Sequence, residues 1–198
     1  MSIRLLTAIG NLKRTPRTGW ITHGVSIQDV ESVADHTFST TTLSLILSDF
    51  EQARGVQVNV ERVLRMATLH DLAEAFTFDI SKAYLTYLGE RGSAIKDEIE
   101  SSAWNHLVSG MEPLQLSNSY LRLHKEYVAS KTIEAQIVHA ADSLDILLQI
   151  VDLRRRGYPQ SCFKDLWDEA TKKLQASPVR SVPTILKAIV KSARELGR

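Results

Sequence analysis

His70 and Asp71 stand side by side in a stretch whose other members keep apolar residues at helical spacing. Val60, Val63, Leu64 and Ala67 recur three and four residues apart, which marks one face of a helix. His70 and Asp71 fall three and four residues beyond Ala67, so the pair prolongs an apolar stripe. Polar side chains withdrawn from water on such a face cost free energy unless something satisfies them. A divalent cation satisfies an imidazole and a carboxylate together. Two ligands do not make a site, and two other segments offer the rest. His36 lies near the start of an apolar stretch holding Leu43, Ile46 and Leu47. Asp142 lies in a stretch where Ile133, Ile137, Ala141, Leu144 and Leu148 mark a buried face. Two imidazoles and two carboxylates around one divalent ion suit Mn, Co, Ni, Fe or Zn alike. Four protein ligands leave positions for water and a substrate oxygen, as hydrolysis requires. Each residue also has an ordinary reading. His70 and Asp71 alone could be a hydrogen-bonded pair at a helix surface, and His36 alone a helix-start residue pairing with Asp35. Asp142 is harder to dismiss, because carboxylates on buried faces are seldom left without a cation. His139 and Asp145, three residues to either side of it, are rival ligands on the same helix.

The elements that must carry these groups all read as helices. Residues 2–12 form a short amphipathic helix, and 13–31, with Pro16, Gly19 and Gly24, an irregular connection. A helix over 32–50 has Ser32 as its cap, and a second runs from Asn59 to Phe76. Residues 80–89 form a short helix before a break at Gly89 and Gly92, and further helices cover 93–108, 117–129 and 131–156. Gly157-Tyr-Pro159 ends that run, and helices over 160–175 and 182–196 complete the chain, the last with Ser181 as cap and Pro183 in its first turn. Period-two alternation is nearly absent. The reading is an all-α, single-domain helical bundle over 1–198, with the metal-site core at about 30–150 and helices over 157–198 as packing or dimer interface.

Glu74, four residues after His70 and three after Asp71, would project from a continuous helix toward the same face, placed to move a proton in a hydrolysis at the ion. The bland alternative is a solvated surface glutamate. Arg17 and Trp20 sit in the irregular connection, a good place for substrate contacts. A guanidinium can donate two parallel hydrogen bonds to phosphate, and an indole can cover a sugar or base or, equally, anchor the loop. Lys13, Arg14 and Lys82 are alternative phosphate partners.

Three segments in fixed order resemble the HD-domain metal-dependent phosphohydrolases, closest to the 5′-deoxynucleotidase-like branch. They are Arg17-Thr-Gly-Trp20 followed by Val30-Glu-Ser-Val-Ala-Asp-His36, then His70-Asp-Leu-Ala-Glu-Ala-Phe-Thr-Phe-Asp79, then Ala140-Ala-Asp-Ser-Leu-Asp145. The resemblance implies metal ligands His36, His70, Asp71 and Asp142, the last preferred over His139 because it occupies the family's Ala-Asp position. It implies that Asp79 helps to hold the sugar or the reactive water; by residue type alone Asp79 could instead cap the helix that follows. Related deoxynucleotidases carry Arg immediately before Trp, where this chain has Gly19, although other relatives share the Arg-Thr-Gly-Trp spacing. The implied substrate is a (deoxy)nucleoside 5′-monophosphate, with a phosphodiester, triphosphate or alarmone, or a non-catalytic metal-stabilised module, as alternatives.

Composition narrows the class. In 198 residues, 43% hydrophobic and 24% charged, the chain has globular values and length for a sizeable core. A net charge of +1 gives no broad basic surface for nucleic acid or membrane. Cys162 is the one cysteine, which excludes an internal disulfide and reads as a packing thiol. The N-terminal apolar run is too short to span a bilayer and lacks a convincing cleavage site, so the expected location is cytoplasmic. Trp167 and the Ile185–Val190 stripe exceed what one small core is expected to cover, and a homodimer is expected to cover them.

Overall fold

The structure, a computed structural model, describes residues 3–196 apart from the side chain of Lys82. Among these residues the secondary structure is α-helical throughout, with two 3-10 turns and one isolated antiparallel bridge, Pro16 with Ser32. The all-α expectation holds. The helices are α1 (Ile3–Leu12), α2 (Thr18–Thr22), α3 (Val33–Ala53), α4 (Val60–Leu69), α5 (Glu74–Thr77), α6 (Lys82–Leu85), α7 (Arg91–Val108), α8 (Leu114–Ala129), α9 (Ile133–Arg155), α10 (Lys164–Gln175) and α11 (Val182–Glu195).

The chain groups into two compact units, each assembled from separated segments. The first comprises residues up to Thr37 and Thr68–Lys125; the second comprises Phe38–Ala67 and Glu126 onward.

In the first unit α1 packs on α5 and α7. Its core is built from Leu12, Val33, Leu72, Trp104, Leu107 and Val108 with their smaller neighbours. Asn11 Nδ2 donates to the Ala75 carbonyl at 3.1 Å and so ties α1 to α5. Gly92 allows α7 to start close against α6, because a Cβ there would lie 2.5 Å from the Leu85 carbonyl oxygen. The connection before α3 is less irregular than expected, since it contains α2 and is pinned at both ends. Val33 N donates to Thr15 O at 2.8 Å and Arg17 N to Glu31 O at 3.0 Å. Ser32 caps α3 reciprocally: Asp35 N donates to Ser32 Oγ at 3.2 Å, and Ser32 N to Asp35 Oδ2 at 2.9 Å.

In the second unit α9 is the central helix, with α10 and α11 packed on it and on each other. Ile137, Leu144, Leu147, Ile150 and Leu153 of α9 are fully buried, as are Phe163 and Val182. Thr132 caps α9, accepting from Ala135 N at 3.3 Å. Ser181 does not cap α11 through its side chain; its backbone N–H instead donates to the buried Glu51 carboxylate at 2.6 Å. Trp167, Ile185 and Val190 are half-buried and Ile189 is buried, so packing within the unit already covers most of the stripe expected to be exposed.

Candidate metal centre

The expected helix from Asn59 to Phe76 does not run through. It stops at Leu69, residues 70–73 form consecutive turns, and α5 begins at Glu74. The backbone closes three-residue turns here, with Leu72 N on Leu69 O and Glu74 N on Asp71 O, both at 3.0 Å. His70 and Asp71 therefore stand at a helix end rather than along a helix face. The turn still delivers them inward: the His70 side chain is 1% exposed and Asp71 is partly buried. His36 meets them from the first turn of α3 and is likewise buried.

Three donor atoms converge in the first unit. His36 Nε2 and His70 Nε2 are 3.3 Å apart, and Asp71 Oδ2 lies 3.2 Å from His70 Nε2 and 3.5 Å from His36 Nε2. With ion–donor bonds of about 2.1 Å and angles of 90–109°, neighbouring ligand atoms lie roughly 3.0–3.4 Å apart. The triangle has the edges of a coordination polyhedron, and its two nitrogens and one carboxylate oxygen are a transition-metal donor set. The residues present fit a divalent ion. Burial works against charge on Asp71, but His70, Arg17 and His36 outweigh it and hold the carboxyl well below its usual range.

Glu74 is not the solvated glutamate that its type allows. It is 5% exposed, and its Oε2 has no hydrogen-bond partner among the described residues. Burial, with the charges of Asp71 and Asp79, pushes its carboxyl well above the usual range against the pull of Arg17 and Lys96. Phe78 follows α5 with φ 58°, an uncommon conformation for a bulky residue, and turns the chain so that Asp79 comes back to the cluster. Thr18 Oγ1 donates to the Asp79 carbonyl at 2.5 Å. The cap of α6 is Ser81, whose Oγ accepts from Ala83 N at 3.3 Å, so the capping role open to Asp79 falls to its neighbour.

Arg17, at the start of α2, directs its guanidinium at acids: Nη1 is 3.3 Å from Asp71 Oδ2 and 4.0 Å from Asp79 Oδ1. Trp20 is 4% exposed and donates from Nε1 to Glu31 Oε1 at 2.9 Å, which makes it the anchor of the loop that carries Arg17. Of the alternative cations, Arg14 bonds Asn11 Oδ1 at 3.3 Å and Lys13 is exposed. Two residues of α7 that the sequence reading does not single out act on these acids through their charge. Lys96 and Glu100 of α7 pair at 3.3 Å, and Lys96 feels the charges of Glu74 and Asp71. Their i,i+4 spacing is visible in the sequence, but it looks like any surface pair.

Asp142 belongs to α9 in the second unit, where it is half-buried and lines a cavity of about 270 Å³ with His139, Ser143 and Lys173. Its rival His139 donates from Nε2 to the Tyr127 carbonyl at 2.8 Å and stacks on that tyrosine. Asp145 is the buried acid of α9.

The HD-domain family matches residues 9–178. A 5′-deoxynucleotidase of Schizosaccharomyces pombe is 31% identical over 157 residues, covering 78% of this chain and 73% of that protein. A conserved hypothetical protein from Pyrococcus furiosus shares the fold with a TM-score of 0.72 at 31% identity, over 98% of this chain and 99% of that one. An HD-domain phosphohydrolase from Listeria innocua, at 22% identity, superposes with a TM-score of 0.75 over 95% and 86% of the two chains and attests the fold alone.

Proposed function

We propose, from the premise that this chain belongs to the HD-domain family of metal-dependent phosphohydrolases, that it is a phosphatase which hydrolyses a deoxynucleoside 5′-monophosphate to nucleoside and inorganic phosphate. The observation that carries this reading is the convergence of His36 Nε2, His70 Nε2 and Asp71 Oδ2 beside a buried Glu74. His36, His70 and Asp71 would hold the divalent ion, with Asp142 as fourth ligand by the family pattern. When bound, such an ion lowers the pKa of water and polarises a phosphoryl oxygen.

The chain's own groups do the rest. Arg17, held against Asp71 and Asp79, fixes both carboxylates and presents positive charge to the phosphate. Asp79, carried back by the Phe78 turn and pinned by Thr18, is placed to hold the sugar or the attacking water. Water attacks phosphorus as the bond to the 5′ oxygen breaks. Glu74, whose buried carboxyl favours the protonated form, gives its proton to that oxygen and recovers one from the water. Trp20 contributes by holding the loop.

The deciding experiment is a phosphate-release screen of purified protein against nucleoside mono-, di- and triphosphates, deoxy and ribo, a cyclic diester and an alarmone, each with Mn, Co, Ni, Zn and Mg. The expected result is turnover of deoxynucleoside monophosphates with a transition metal. Preference for a triphosphate, diester or alarmone would overturn the substrate, and metal retention without turnover would overturn the enzyme.

A cytoplasmic location and a homodimer belong to the same reading. Among the described residues no helix is long and apolar enough to cross a membrane. Support for the dimer shifts from the C-terminal stripe to α3, where Phe38, Leu45, Ile46 and Phe50 stand exposed along one helix. Light scattering at micromolar concentration tests it: a mass near 22 kDa means a monomer.

A further inference from the structure

Phe78 is unfavourable to the fold in two ways. Its backbone takes φ 58° and ψ 169°, close to a region that glycine alone enters freely. Its side chain is 65% exposed, so burial does not offset the strain. Neither fact is unusual alone. Phe38 is more exposed, at 74%, but stands on the regular helix α3, and a lone exposed aromatic needs no explanation. Ser130, the other non-glycine residue described at positive φ, is small and polar. Phe78 combines both, at a position where glycine would remove the strain and the exposed ring together. A strained side chain that packing does not employ points to a contact outside the fold.

Its neighbours indicate which contact. One peptide unit, about 3.8 Å between α carbons, separates Phe78 from Asp79. Asp79 is tied to α2 by Thr18 Oγ1, which donates to its carbonyl at 2.5 Å and lies 3.4 Å from its Oδ2. Its Oδ1 stands 4.0 Å from the Arg17 guanidinium that reaches Asp71. Gly19, beside Thr18, leaves open space where any other residue would put a Cβ. Trp20, the aromatic that the sequence offers for covering sugar or base, is 4% exposed and engaged with Glu31. The corner therefore joins the carboxylate proposed to hold the sugar, an unfilled stretch of α2 and an exposed ring. Beyond the sugar of a nucleotide comes a planar base, and an aromatic ring can stack on that plane whatever the base.

We propose that Phe78 is the base-stacking residue of this site, its ring presented by the strained turn to the nucleobase of the substrate. This rests on the deoxynucleotidase reading above and adds a contact to the base, which that reading leaves without one.

The test compares, on the metal-loaded protein, KM for a deoxynucleoside 5′-monophosphate with KM for deoxyribose 5-phosphate, which lacks the base. Calorimetry measures binding of the free deoxynucleoside alongside. In Phe78→Gly the nucleotide KM should worsen at least about fivefold relative to that of the sugar phosphate, and nucleoside affinity should fall by a similar factor. Tm should hold or rise, because glycine relieves the turn. Phe78→Tyr keeps a ring on the same backbone and should stay near wild type in these readings. An unchanged ratio of the two KM values with unchanged nucleoside affinity in folded Phe78→Gly overturns the proposal. So does an equal loss for both substrates, which would mean that the residue serves only to aim Asp79. Should Phe78→Gly fail to fold, Phe78→Ala decides by the same readings. If no nucleotide is turned over, the substrate reading fails by itself and nucleoside binding decides here. Weaker binding in Phe78→Gly then supports the stacking contact, and equal binding, or a wild type that binds no nucleoside, overturns it.

Discussion

Two histidine-bearing pairs within the first unit, His36 with His70 and Trp104 with the half-buried His124, differ in everything that matters for chemistry. His36 and His70 approach with ring centroids 5.3 Å apart and planes tilted by 59°, so that their Nε2 atoms meet at 3.3 Å beside Asp71. Trp104 and His124 stack face to face at 4.7 Å and 24°, and their nitrogens Nε1 and Nδ1 find no hydrogen-bond partner among the described residues. Tilted rings bring lone pairs to one point, whereas stacked rings bring π faces together and send the nitrogens elsewhere. Charge follows the same division. Around His36 and His70 lie Asp71, Glu74, Asp79 and Arg17, while His124 is shifted by burial alone, down to about 4. A histidine withdrawn from water against an aromatic ring is therefore not in itself a sign of a site. Convergent donors and an acid are.

The largest expected effect tests that division directly. His70→Ala or Asp71→Ala should strip the metal and abolish hydrolysis while the helical circular dichroism persists. His124→Leu should leave metal content and turnover near wild type. Elemental analysis of the three variants reads the contrast, and full metal retention in either site variant would remove the basis for the centre. Asp142→Ala belongs in the same series, and metal retained there would end its assignment as fourth ligand.

Next in size is the proton. Glu74→Gln keeps the shape and volume of the side chain but cannot deliver a proton, and kcat should fall about 10²–10⁴-fold with metal and substrate affinity retained. Turnover within about threefold of wild type would return Glu74 to a packing role.

How much of this was legible in the sequence depends on which physical signal each residue leaves. Helix existence was readable because apolar spacing and caps such as Ser32 and Asn59 are local, and α1, α3, α7 and α9 fall where the periodicity puts them. His70 and Asp71 stood out as polar residues on an apolar stripe, and that inference survives although its premise of a continuous helix does not. No glycine or proline marks the stop at Leu69; the turns at 70–73 are set by tertiary packing of Leu72 and Ala73 into the first unit's core. Glu74 was placed by an argument from helical facing, whereas the turn and α5 bring it in. Lys96 was not legible because its pairing with Glu100 has the spacing of a solvated surface pair, and only the fold buries it.

A smaller effect separates anchoring from contact at Trp20. Trp20→Phe removes the Nε1 bond to Glu31 but keeps most of the apolar burial, at a cost of about 1 kcal/mol in stability. As an anchor it should lower Tm and raise KM only modestly, with the ratio of deoxy- to ribonucleotide turnover unchanged. A changed ratio would mean that the indole touches the sugar.

The smallest effect isolates the other half of the comparison. His124 has an ordinary pKa of 6.5 and is pushed down to about 4 by burial against Trp104. Between those two values the unfolded chain binds a proton there that the folded chain does not, so folding stability must fall as pH drops through this window. The contribution is fully present above pH 6.5, decreases below it, and levels off near pH 4, where the folded protein also protonates. His124→Leu removes the titrating group and should flatten that part of the Tm profile, most visibly when compared with wild type at pH 7 and pH 5. The comparison is made on metal-free protein in chelator, so that loss of metal on acidification does not contribute. If the wild-type and His124→Leu profiles are parallel from pH 7 to pH 4, then His124 protonates within the folded state, and the stacked pair is more open to water than its burial implies.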